Sequence, residues 1–196
     1  INYSLVNISK ATIKTGGLDM NYFDLINNRE SCRDYATKPV EKDKLVKCIE
    51  AARVAPSACN SQPWSFVVVN NPLVSPQVAK CLQDAGMNKF TDHCPAFIVV
   101  IEEKATLSAR ISGVVKSQNY APIDIGIATA HICLAATAQG LSTCVMGWIN
   151  EGKLKELLEI PQPKRIRLVI GVGYAASDVV REKKRKSLEE ITKFVD

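Results

Sequence analysis

Ala55-Pro56-Ser57-Ala58-Cys59-Asn60-Ser61-Gln62-Pro63-Trp64-Ser65-Phe66 separates an amphipathic helical pattern from the apolar run Phe66-Val67-Val68-Val69. Small residues, two prolines and two amides stand where helix gives way to strand. Pro56 and Pro63 fix φ and stiffen the connection. Ser57 and Ala58 let a ligand approach the backbone. Asn60 and Gln62 carry donors and acceptors that suit the edge of a flat ring. Two readings stand: a loop facing a flat ligand, or an ordinary buried turn anchored by Trp64.

Working outward, the spacing of Leu45, Cys48, Ile49 and Ala52 predicts a helix over 41–55. A strand is expected at 66–69. Ser75 is expected to cap a helix with Pro76 first, Val78, Cys81, Leu82 and Ala85 inward, and Gly86 past its end. Pro95 announces a second strand at 96–101, and 102–122 reads as irregular, interrupted by Gly113 and Pro122. Asp124 is expected to cap a long helix that Gly140 closes. That helix is apolar nearly all round, which places it centrally or at a subunit interface. Thr143 to Met146 reads as a short strand, and Asn150 as the cap of a helix stopped before Pro161. The last strong strand is 166–172 and the final helix 188–195. Alternation of helix and strand alone suggests a three-layer α/β domain with a parallel sheet.

Length and composition bound the rest. The 196 residues suit one domain, able to bury roughly 70% of its unfolded surface. Hydrophobic content of 46% and charge of 23% fit a soluble globular protein. The net charge of +5 is partly concentrated in Arg181-Glu182-Lys183-Lys184-Arg185-Lys186. This favours anionic small molecules over nucleic acid, which would want a broader basic stripe with aromatics. Seven scattered cysteines without a C-x-x-C read as reduced, buried thiols and point to a cytoplasmic protein. His93-Cys94 supplies too few ligands for a metal. No apolar run is expected to span a membrane, and residues 1–19 lack a signal-peptide core.

Two basic clusters carry further chemistry. Arg29-Glu30-Ser31-Cys32-Arg33 follows the short helical stretch 22–26, and its two guanidinium forks with a hydroxyl between them suit a phosphate monoester. Lys183-Lys184-Arg185-Lys186-Ser187 repeats that chemistry, and Ser187 with Glu190 forms a capping box that starts a helix. Each cluster taken singly also fits a solvated surface.

Four segments in order are R-x-S-x-R (29–33), P-S-x-x-N-x-Q-P-W-x-F (56–66), G-L-S-T-C-V-M-G-W (140–148) and K-x-R-x-x-L-E-E (183–190). Together they resemble the FMN-dependent nitroreductase family over residues 20–194. The resemblance implies an α+β fold in place of a parallel sheet: a mostly antiparallel sheet flanked by helices, in an intertwined homodimer. It leaves 1–19 as an N-terminal extension, with Met20 a natural start, and 20–196 as a single FMN-binding domain. It implies that Arg29, Ser31 and Arg33 hold the FMN phosphate and ribityl chain and that Lys183 and Arg185 close on the same phosphate. Pro56, Ser57, Ala58, Asn60 and Gln62 are then expected at the ring from the partner subunit. Lys89 is expected at the pyrimidine edge, and Met146, Gly147 and Trp148 along one ring face.

The implied activity is ping-pong electron transfer from NADH or NADPH through FMN to a small aromatic acceptor, a nitroaromatic or quinone. The flavin carries the chemistry. No residue stands out as acid, base or nucleophile, and the serines lack a His-Asp pairing. No G-x-G-x-x-G occurs, so the nicotinamide would dock transiently. The alternatives are a non-catalytic FMN-binding or redox-sensing dimer using Cys32 or Cys59, and a reductive dehalogenase or flavin-fragmenting relative.

Three departures from the family pattern stand out. Glu30 replaces a frequent base and must point away from the phosphate or pair with an arginine. Trp148 replaces a frequent glycine and is either a wall of the pocket or a core residue. His131, inside the apolar helix where an amide is common, reads as a satisfied core residue more than as a catalyst.

Overall fold

A computed structural model describes residues 21–195; residues 1–19, expected to be an N-terminal extension, and Met20 lie outside the described residues. Four strands form one sheet in the order β1-β2-β4-β3: β1 is Trp64–Val69, β2 Ala96–Glu102, β3 Ser142–Met146 and β4 Arg165–Gly173. Every pair is antiparallel. The architecture is α+β and corrects the parallel sheet that alternation alone suggests. Hydrophobic periodicity reports which face a residue lies on and is blind to strand direction.

The sheet is covered on both faces. Phe97, Val99 and Ile101 of β2 enter one core with α3 (Ser75–Leu82) and α6 (Glu151–Leu157). Ala96, Ile98 and Val100 alternate into a second core with α2 (Lys42–Arg53) and α5 (Tyr120–Ala138). A strand buried on both sides must be apolar throughout, which is why β2 reads as a continuous run. Burial of its side chains, each worth about 1.5–3 kcal/mol, fixes the central pair β2–β4.

Several boundaries differ from expectation. Ser75 lies inside α3 and Val74 caps it; the Ser75 hydroxyl donates to the Pro95 carbonyl at 2.9 Å and ties α3 to the start of β2. Segment 102–122 is not irregular. It contains α4 (Leu107–Lys116), whose cap Thr106 accepts from the Ala109 N–H. Helix α5 begins at Tyr120, because Pro122 falls in its first turn, where a missing N–H costs little. Asp124 is therefore within the helix and does not cap it. Asn150 caps α6 as expected, accepting from Lys153 N–H. Ser187 and Glu190 form a complete capping box, but α7 stops at Leu188–Ile191.

Among the described residues, α5 alone is long and apolar enough to cross a membrane, by length and composition only. That departs from the expectation that no run qualifies. Here Ile125, Ala128, Ile132 and Ala136 are buried in the second core. Six cysteines are buried as expected, but Cys59 is exposed.

One edge of the sheet is extended by chain from far upstream. Ser31 bridges Thr143 in parallel, and Cys32 N–H donates to the Thr143 carbonyl at 2.9 Å. Tyr35 bridges Ala175, and Ala36 N–H donates to Tyr174 O at 2.9 Å. The Tyr35 ring lies under β4, where a Cβ on Gly173 would come within 2.7 Å of Tyr35 Cδ1 and 2.8 Å of Pro95 Cδ. Both neighbours are rigid. Gly173→Ala is expected to destabilise the chain by about 1–3 kcal/mol, as overpacking does. Denaturant melts of the two proteins check this.

Candidate functional site

The fold brings the two basic clusters to one corner. Helix α1 (Tyr22–Asn28) delivers Arg29, and the bridge to β3 holds Ser31 and Cys32 on the sheet edge. The chain leaving β4 returns past the same edge. Arg29, Glu30, Ser31 and Arg33 then face Arg181, Lys183 and Arg185 around an open cavity of about 330 Å³.

Among the described residues, neither Arg29 nor Arg33 takes part in an ion pair. Lys183 is steadied by donating to the Asn27 carbonyl, and Arg185 by donating to the Lys184 carbonyl at 2.7 Å. Cationic donors without carboxylate partners, converging with a serine, fit a phosphate monoester dianion.

Glu30 does not oppose this field alone. Its carboxylate accepts from the Arg181 N–H at 3.0 Å and pairs with the Arg181 guanidinium. The Arg181 main-chain N–H, then its side chain, hold the Glu30 carboxyl below its ordinary range. Arg181 begins the basic run, yet nothing in the sequence ties it to Glu30 across 151 residues. Sequence reasoning passed it over for that reason.

The loop after α2 lies elsewhere. Cys59, Asn60 and Gln62 adopt left-handed φ of 51°, 49° and 47°, a strained run for residues with side chains. It is held from three sides. Gln62 N–H donates to Ser57 Oγ at 2.9 Å, and Thr106 N–H donates to Ser61 Oγ at 2.9 Å. Both carboxylate oxygens of buried Asp124 accept from Ala58 N–H at 3.2 Å. Asp124, read as a cap, is thus the anchor of this loop; an acid inside an apolar helical run was the available signal.

Pro56 is exposed. Gln62 Nε2 donates to Asn60 Oδ1 at 3.1 Å, so the two amides engage each other. Trp64, half-buried, packs on the second core, so the strand anchor and the exposed polar loop are both present.

A third group forms around the end of β3. Met146 points into the first core, so only its backbone is available outside. Gly147 is exposed with open space where a Cβ would be. Trp148 is 51% exposed and donates from Nε1 to the Asp84 carbonyl at 2.8 Å. It belongs to the surface and not to the core. Lys89 lies beside the same turn, against Gly86.

His131 Nδ1 lies 3.0 Å from the Ala51 carbonyl and links α5 to α2. Because a carbonyl only accepts, the proton sits on Nδ1. Cys32 is buried, its thiol bonded to Asp34 O at 3.0 Å and its pKa raised by desolvation, which leaves it a poor redox sensor. Among the described residues no cluster could hold a metal.

The structure thus unites Arg29, Ser31, Arg33, Lys183 and Arg185 in one corner. It sets Lys89 and Trp148 against one turn, Asp84–Gly86, in a second place, and keeps Ser57–Gln62 in a third. Asp124 holds the loop near the start of α5, whereas the charge of Arg29 is felt at Cys133, roughly 13 Å further along the helix.

The sequence matches the family model described as "Nitroreductase family" over residues 26–174. Iodotyrosine deiodinase 1 of Mus musculus is 25% identical over 195 residues, covering 87% of this chain and 68% of that protein. The protein named "Putative NAD(P)H nitroreductase YodC" of Bacillus subtilis (strain 168) is 25% identical over 79% of this chain and 90% of its own. The solved structure of an FMN-dependent nitroreductase from Clostridium difficile R20291 superposes with a TM-score of 0.64 at 26% identity. It covers 85% of this chain and 92% of that one.

The surface position of Trp148 has a measurable consequence. Trp148→Ala is expected to cost about 1–2 kcal/mol, from the hydrogen bond to Asp84 and the half of the ring that is covered. The truncation of a core tryptophan would cost about 3–5 kcal/mol. Thermal and urea denaturation distinguish the two.

Proposed function

Because the chain belongs to the nitroreductase family, we propose that it is an FMN-dependent oxidoreductase that draws electrons from NADH or NADPH and passes them to a small aromatic acceptor. The observation that carries this reading is the corner where Arg29, Ser31 and Arg33 meet Lys183 and Arg185. The set suits one phosphate monoester, and nothing in it serves an adenylate half. Bound FMN would supply the two-electron chemistry that no side chain here offers.

The residues' own work is binding and orientation. Arg29, Arg33, Lys183 and Arg185 neutralise the phosphate, and Ser31 adds a neutral hydrogen bond. Pro56, Ser57, Ala58, Asn60 and Gln62 form the platform for the ring, Lys89 meets its pyrimidine edge, and Gly147 lets it approach the backbone. Trp148 stands as an apolar wall that favours flat acceptors.

The phosphate corner and the ring loop lie apart within one chain, which supports a homodimer with each site shared between subunits. Along α5, exposed Ile123, Gly126 and Ala130 with half-buried Ile127 and Leu134 form an apolar stripe suited to a second copy. The relatives named as deiodinases support a second reading, reductive dehalogenation of a halogenated phenol at the same site.

The decisive experiment is the visible spectrum of the purified protein and its released cofactor. FMN is the expected result, and FAD or no flavin overturns the reading. Bleaching by NADH or NADPH, followed by a panel of quinones, nitroarenes and iodinated phenols, then separates reductase, dehalogenase and inert binder. Arg33→Ala and Arg185→Ala should each weaken FMN binding ~10-fold or more, as loss of a charge-assisted contact implies. Sedimentation should give twice the chain mass, and Ala130→Glu should yield monomers that bind FMN poorly. A flavin-loaded monomer would exclude the shared site.

A further inference from the structure

Glu30 is an acid set among cations that the proposed function assigns to a phosphate. Simple electrostatics makes it a defect: an acid beside a phosphate weakens the field that binds it. Its contacts give it another role. Arg181 is held by Glu30 at two points, from its main-chain N–H at 3.0 Å and from its guanidinium Nε. The same guanidinium donates from a terminal nitrogen to the Ser31 carbonyl at 2.7 Å. Arg181 also lines the cavity with Arg29, Arg33, Lys183 and Arg185.

We propose that Arg181 is an additional phosphate-binding residue of this chain and that Glu30 is its positioning residue, locking the returning segment 181–185 against Ser31 so that its cations face the phosphate. The inference rests on the FMN reading above.

An exposed ion pair by itself contributes little. This one is different in kind, because the acid grips main chain and side chain of one residue while the guanidinium grips the main chain of Ser31. Two segments far apart in sequence are thereby joined at the serine expected to touch the phosphate. A guanidinium has five N–H donors. One meets Glu30 and one meets Ser31, and the others remain for an anion in the cavity. Glu30 therefore exchanges its own charge for a cation delivered by another segment.

The two accounts of Glu30 predict opposite signs. As a defect, its removal tightens FMN binding; as a positioning residue, its removal loosens it. The apoprotein is titrated with FMN and with riboflavin, which lacks the phosphate, following quenching of flavin fluorescence. Glu30→Ala and Arg181→Ala should each weaken FMN ~10-fold, as loss of a charge-assisted contact does, and leave riboflavin affinity unchanged. The double variant should be no weaker than Arg181→Ala alone, since both changes break one unit. Glu30→Gln, which retains an acceptor, should fall between Glu30→Ala and wild type, and it reads the same sign if Glu30→Ala fails to fold.

FMN binding unchanged or tightened in the Glu30 variants overturns the inference, as does an equal loss for FMN and riboflavin. Arg33→Ala separates the levels. If it weakens FMN while Glu30→Ala does not, only the positioning role fails. If wild-type protein binds no FMN, the functional reading fails and this inference with it.

Discussion

The main-chain hydrogen bonds that lay residues 31–36 along the sheet edge are the constraint on which the phosphate corner depends. Cys32 N–H to Thr143 O fixes the height of Ser31 along β3. Ala36 N–H to Tyr174 O and Ala176 N–H to Asp34 O then bind the same segment to the chain leaving β4. With both flanks held, Arg29 and Arg33 project beside the basic run that follows β4. The arginines need no secondary structure of their own, because the sheet supplies their register. Gly173 belongs to the same constraint: only a residue without a Cβ lets Tyr35 lie flat against the strand end.

Helix α5 organises the other half of the molecule. Its buried side fills the core between sheet and α2, and His131 ties it to Ala51. Near its start, Asp124 holds the Ala58 N–H and so fixes a loop whose backbone is strained. A buried carboxylate is costly to keep, and a loop with three left-handed residues is costly to hold. The two costs meet at one hydrogen bond, which suggests that loop geometry is what the acid preserves. The apolar side of α5 away from the core has no partner among the described residues, which is why the site reads as shared.

The sequence made layers and faces legible and left direction and corners obscure. The strand at 96–101 and the helix over 41–55 followed from the apolar run behind Pro95 and from apolar spacing alone. Antiparallel pairing did not; it came only with the resemblance carried by four motifs. Helix α4 was missed because Gly113 reads as an interruption, although Leu107, Ile111, Val114 and Val115 recur at helical spacing on a face that the structure leaves exposed. Thr106 as a cap was the signal that could have found it. Pro122 looked like a break because a proline in the first turn of a helix and a proline in a loop read alike. Of the site, the basic clusters could be read one at a time. The meeting of Glu30 with Arg181 is a tertiary fact with no local trace, and so is the grip of Asp124 on the loop.

The span of these contacts bears on the order in which the molecule assembles. Cys32 with Thr143, Tyr35 with Gly171 across 136 residues, and Glu30 with Arg181 across 151 all close long loops. Loop-closure entropy predicts that such contacts form late in folding, after the more local pairs β1–β2 and β3–β4. The corner is then also among the first parts to open, since few apolar contacts hold it beyond Cys32 and Tyr35. An anion bound there would cross-link two segments, 29–33 and 181–185, that the core leaves loosely joined, and would raise the free energy of local opening by mass action. In kinetic terms, the cofactor would be the last piece of the fold to arrive and the clasp that slows its undoing.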